Sequence, residues 1–117
     1  MFAYDVRGYG EPDKPQEIAA YALKELAADV LCIADALGFE RFITIGHDWG
    51  GPIALTTALL YPERVYATGS LSVPHLHRPP RPTLDVWRAI YKDRFFYQLY
   101  FLQDGMAEAE FEAALAT

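Results

Sequence analysis

The stretch that most limits the fold is residues 41–60, where a strand-like run turns straight into a helix-like one. Arg41-Phe42-Ile43-Thr44-Ile45 is β-branched and aromatic, as a strand requires. It breaks at Gly46-His47-Asp48-Trp49-Gly50-Gly51 and resumes as an apolar helix from about Pro52 to Leu60. Pro52 suits the first turn of a helix, where a missing N–H costs nothing. Tyr61-Pro62-Glu63-Arg64 ends that helix, and residues 65–71 read as another strand. A strand, a helix and a strand in that order are the repeating unit of a parallel sheet covered by helices.

The same rhythm extends upstream. Phe2-Ala3-Tyr4-Asp5-Val6 predicts a buried strand that runs into the Gly-rich loop Arg7-Gly8-Tyr9-Gly10 and on through Glu11-Pro12-Asp13-Lys14-Pro15. From about Tyr21 to Leu37, apolar residues at Leu23, Leu26, Ala27, Val30, Ala34 and Leu37 form a helical stripe. Gly38 follows where a left-handed cap is wanted. The fold class is therefore α/β, with parallel strands and flanking helices. After Pro74 the pattern changes: prolines at 74, 79, 80 and 82 make a connector, and helical segments are expected over about 84–100 and 107–115. Val73-Pro74 marks the expected boundary between a sheet domain (1–73) and a helical one (74–117). There is no repeat and no low-complexity tract.

Composition narrows the function. Hydrophobic residues are 52% of the 117 and aromatics 15%, which is core-rich and more apolar than so short a chain easily hides. The net charge of −6 comes without a Lys/Arg cluster, so neither nucleic acid nor an anionic membrane is an expected partner. Cys32 is the single cysteine, which precludes an internal disulfide and fits the cytoplasm. It sits among apolar helix residues and reads as packing. No apolar run approaches bilayer length.

The chemistry centres on Gly46-His47-Asp48-Trp49-Gly50, a small-x-acid-x-small motif between strand and helix. This is the pattern of a nucleophile elbow, with Asp in place of Ser. A sharp turn lifts Asp48 to the strand tip and strains its backbone. The residues two before and two after must be small because strand and helix approach closely there. The backbone N–H of Trp49 would form half an oxyanion hole, and the helix N-terminus favours the carboxylate. The competing reading, a phosphate-binding turn, lacks the G-x-G-x-x-G order and would place an acid against a phosphate.

Several motifs in order then resemble the epoxide hydrolases of the α/β-hydrolase superfamily. They are Asp5-Val6-Arg7-Gly8-Tyr9-Gly10, residues 46–51, Tyr61-Pro62-Glu63-Arg64-Val65, Ser72-Val73-Pro74-His75, Phe96-Tyr97-Gln98-Leu99-Tyr100-Phe101, and residues 105–110. Two positions depart: that family often has Ser where Pro12 stands and Asn where Ser72 stands. The resemblance implies a partial α/β-hydrolase fold followed by the first helices of a helical cap. It makes Asp48 the nucleophile, already ionised at neutral pH for a carboxylate of ordinary pKa near ~4. Tyr97 becomes the proton donor to the alkoxide released when the epoxide opens. Read from periodicity alone, Tyr97 among Phe95, Phe96, Tyr100 and Phe101 is a core aromatic.

The Asp48-Trp49 pair also fits haloalkane dehalogenases, in which the indole N–H holds a halide. A halide needs no proton, so Tyr97 favours the epoxide. His47, next to Asp48 on a strained turn, points away from it and is a poor base. His75 and His77 lack the further ligands a metal site needs. No metal or cofactor is expected. In the family implied, the His base and its acid follow the cap, and a His-Gly loop before the first strand completes the oxyanion hole. A strand absent from this sequence normally lies between the strands ending at Asp5 and Ile45. The expectation is thus an epoxide hydrolase cut at both ends, acting on an epoxide and water in the intact enzyme. As an isolated chain it should be inactive and prone to self-association through exposed apolar surface. The alternatives are a dehalogenase fragment and a non-catalytic remnant that binds another chain.

Overall fold

The computed structural model describes residues 1–10, 14–75 and 80–115. They fall into two compact units, Met1–Leu76 and His77–Thr117.

In the first unit a short 3₁₀ turn, Ile18–Tyr21, leads into helix α1, Leu23–Ala36. The apolar stripe buries Leu26, Ala27, Leu31 and Ala34. Cys32, expected to pack, is exposed, because it faces away from that stripe. Gly38 at φ 74° closes the helix: its N–H donates to Asp35 and that of Phe39 to Ala34, each bond satisfying a carbonyl the helix end leaves over.

Strand β1, Phe42–His47, runs parallel to β2, Val65–Leu71, in a two-stranded sheet. The register pairs Phe42 with Val65 but Ile43 with Ala67, so Tyr66 is the extra residue of an irregularity. From there the strands stay in step to His47 opposite Leu71. Helix α2, Gly50–Leu60, connects them and packs on one sheet face over Thr44 and Gly46, with α1 packed on α2 in turn. Thr57, with no exposed surface, turns its hydroxyl back to the Ile53 carbonyl at 2.8 Å, so its burial leaves no unpaired donor. The opposite sheet face carries Ile43 at 61% and Ile45 at 72% exposure.

The strand expected at residues 2–6 does not form. The segment is irregular, because among the described residues no strand lies beside it to accept or donate ladder hydrogen bonds. A cleft of about 540 Å³ is lined by Phe2 and Tyr4, by residues 41–47, and by Ile33 and Ile53. What holds the segment is Arg7. Its guanidinium grips Asp29 of α1 with both nitrogens, Nε to Oδ2 at 3.0 Å and Nη2 to Oδ1 at 2.5 Å, while Nη1 reaches the Ala20 carbonyl at 3.0 Å. Burial, with Asp29 nearby, holds the Tyr4 hydroxyl above its ordinary pKa of 10.0.

The second unit is helical: α3, Thr83–Ile90, α4, Tyr97–Phe101, and α5, Met106–Leu115. The single helix expected over 84–100 is two, broken at residues 91–96. The Tyr91 ring stacks on Phe96 at 4.1 Å, and Trp87 meets Phe96 edge-on at 5.4 Å. Packing those rings together folds the chain back on itself, which a straight helix would not allow. Among its described residues Ala107 is the one buried apolar side chain.

Candidate active site

The site is built where β1 becomes α2. Gly46 is the next-to-last residue of β1, and a side-chain carbon there would stand 1.8 Å from the Gly50 carbonyl oxygen. No side chain fits, so only glycine lets the strand pass beneath the incoming helix. Asp48 then takes φ 52°, the left-handed region, which Asp tolerates better than most residues. Its N–H donates to the Leu71 carbonyl at 3.2 Å and its C=O accepts from the Gly51 N–H at 3.0 Å. The turn is thereby fastened to both β2 and α2, and the exposed Asp48 carboxylate stands at its tip.

The motif spacing led to an expectation that Gly50 must be small, and here the structure differs. A carbon at Gly50 would meet nothing within 4 Å, whereas one at Gly51 would stand 2.3 Å from Ser70 Oγ. The close approach is therefore Gly46 to the helix backbone and Gly51 to β2. Ser70 was not picked out by sequence reasoning, since nothing local ties it to a turn twenty residues earlier. Its hydroxyl donates to the Val73 carbonyl at 2.5 Å.

Trp49 caps α2 in helical backbone geometry and is 67% exposed. His47 lies on the same sheet face as Ile43 and Ile45, the face opposite α2, consistent with side chains that alternate along a strand. Asp48 does not line the cleft beside β1. His75 is exposed, and His77, like Pro12, lies outside the described residues. Among the described residues there is no group of three or more His, Cys, Asp or Glu that could hold a metal ion, and no helix is long and apolar enough to cross a membrane.

Tyr97 belongs to the second unit. It opens α4, is 52% exposed, and its ring meets Phe96 and Phe101 edge-on. Its hydroxyl oxygen accepts from Gln98 Nε2 at 3.1 Å, which leaves the phenolic proton available to another acceptor. Tyr100, one helical turn on, instead donates to Glu110 of α5. That hydrogen bond, with burial and the Glu110 charge behind it, raises the Tyr100 hydroxyl above its ordinary 10.0.

The site is thus a parallel β-α-β unit with an acid at its left-handed strand-to-helix turn. The chain belongs to the α/β-hydrolase fold family, whose model matches residues 1–111. Its relatives are more particular. It is 41% identical over 110 residues to epoxide hydrolase A of Mycobacterium tuberculosis, covering 94% of this chain and 34% of that one. It is 42% identical over 116 residues to bifunctional epoxide hydrolase 2 of Sus scrofa, covering 98% and 20%. Among solved structures it is similar to epoxide hydrolase A from Mycobacterium thermoresistibile, with a TM-score of 0.86 and 44% identity over 91% of this chain and 34% of that one. An epoxide hydrolase from an endophytic Streptomyces gives a TM-score of 0.87 and 44% identity over 93% and 33%. The chain thus spans about a fifth to a third of the length of these relatives.

Proposed function

We propose that this chain carries the attacking half of an epoxide hydrolase active site. The observation behind the reading is Asp48, an exposed carboxylate on a strained turn tied to both neighbouring elements, in a chain similar to proteins named epoxide hydrolases. An Asp48 oxygen attacks a ring carbon. The new C–O ester bond forms as the ring C–O bond breaks, and the electron pair leaves on the epoxide oxygen. That oxygen takes the proton of Tyr97, in a helical unit read as the start of a cap. The Trp49 N–H and the N-terminus of α2 favour the charge carried by the Asp48 carboxyl group. Water then cleaves the alkyl ester to release a diol and restore the carboxylate, and the proton this frees returns to Tyr97.

The second step needs a base for water, and neither His47 nor His75 is assigned that role. The isolated chain is therefore expected to stop at the ester. Incubated with an epoxide such as styrene oxide, it should gain one epoxide mass on the peptide that holds Asp48. Asp48→Asn should abolish the label, and Tyr97→Phe should slow it by roughly 10²-fold or more, the usual worth of a general acid. A label on His47 or Cys32, or steady diol release well above that of Asp48→Ala, would overturn the reading. Haloalkanes that label Asp48 faster, with Tyr97→Phe without effect, would transfer the site to the dehalogenase alternative.

A further inference from the structure

Among the described residues, two that are not glycine have positive φ: Asp48 at 52° and Ser72 at 70°. They are not independent. His47 pairs with Leu71 in the sheet register, so each strained residue is the first beyond the end of its strand, side by side. The Asp48 N–H donates to the carbonyl of Leu71, the residue directly before Ser72. The direction in which that carbonyl points depends on the peptide plane between Leu71 and Ser72, and hence on the φ of Ser72. The nucleophile turn therefore rests on a second strained turn.

A left-handed Ser persists where its surroundings over-determine it. Here one side chain bridges the residues on either side of Ser72. Ser70 Oγ donates to the Val73 carbonyl at 2.5 Å, closing residues 70–73 into a loop with Ser72 inside it. The same oxygen is packed beneath the first turn of α2, where a carbon on Gly51 would come within 2.3 Å of it. Ser70 thus touches both supports of the Asp48 turn, the end of β2 and the start of α2, without being part of the turn.

We propose that Ser70 is a positioning residue for Asp48, acting through the left-handed Ser72. With Ser70→Ala, Val73 loses its donor and Ser72 relaxes toward negative φ. The Leu71 carbonyl swings, and the Asp48 N–H loses its acceptor. The proposal rests on the reading of Asp48 as nucleophile for its importance, but not for its test.

The first readout is amide hydrogen exchange at Asp48 in the 117-residue chain. Ser70→Ala should speed exchange at Asp48 by about tenfold, the loss of one hydrogen bond, while the Leu31 and Ala34 amides of α1 keep their rates. Adding Ser72→Asn should bring Asp48 back toward the parent rate, because Asn occupies the left-handed region readily and needs less support there. The second readout is the rate of ester formation with styrene oxide. It should fall about tenfold in Ser70→Ala, the half-saturating concentration should stay put, and Ser72→Asn should restore it. Unchanged Asp48 exchange in Ser70→Ala overturns the proposal. So does a rise shared equally by α1, or a defect that Ser72→Asn leaves in place. A parent chain that never labels at Asp48 defeats the proposed function instead, and the exchange result still decides the role of Ser70.

Discussion

Gly46 and Gly50, four residues apart in one motif, face opposite demands. A methyl group at Gly46 meets a backbone carbonyl at 1.8 Å, which has no rotamer to escape by, whereas one at Gly50 meets nothing. Gly46→Ala is expected to cost about 3 kcal/mol or more of stability, and Gly50→Ala to change it by no more than about 1 kcal/mol. Urea midpoints of the two variants against wild type check both values, and equal losses would contradict the geometry. The motif made the sharp turn at Asp48 and the smallness of Gly46 legible, because a strand, a sharp turn and a helix within ten residues leave few ways to arrange the backbone. It misassigned the second small residue, since the demand on Gly51 comes from Ser70, which is remote in sequence. The left-handed Ser72 was equally hidden: its sequence context reads as the end of a strand before a proline.

Between elements, two polar ties carry testable consequences. The Arg7 fork holds the loop after residues 2–6 against α1 through Asp29 and Ala20. Lys keeps the charge but cannot reach two oxygens and a carbonyl at once, so Arg7→Lys should lower the urea midpoint and increase proteolysis within residues 1–10. The Tyr100–Glu110 bond joins α4 to α5. Because folding raises the Tyr100 pKa, its contribution is fully present below the ordinary value of 10.0 and is lost as pH climbs through the higher folded value. Following the Tyr100 ring carbon by NMR, the Glu110→Ala variant should titrate at lower pH than wild type. An unchanged titration would show that the bond does not form in solution. The helices of the first unit were readable from apolar spacing and from Gly38 as a cap. The split of α3 from α4 was not, because the stacking of Tyr91 on Phe96 outweighs the helix preference of the intervening residues, and spacing alone carries no record of that contact.

At the scale of the molecule, one face of a two-stranded sheet and most of the apolar residues of the second unit lie open to water. Ile43, Ile45 and Leu71 are each more than half exposed on adjoining strands. Contiguous surface of that kind drives association. Light scattering should rise with concentration for the isolated chain, and Ile43→Lys with Ile45→Lys should lower it. A monomer at all concentrations in wild type would refute this. The excess of apolar residues announced such surface, yet composition could not say where it lay. Nor could the apolar run at residues 2–6 announce that it would stay irregular, since a strand is defined by its neighbours. The β1-α2-β2 stretch differs from that run, because its two strands pair with each other within 30 consecutive residues. Such short-range connections close with little loss of chain entropy, so this stretch should gain order early in folding and as one body. The Asp48 turn lies within it, so that turn would be shaped while the rest of the polypeptide is still searching for its place.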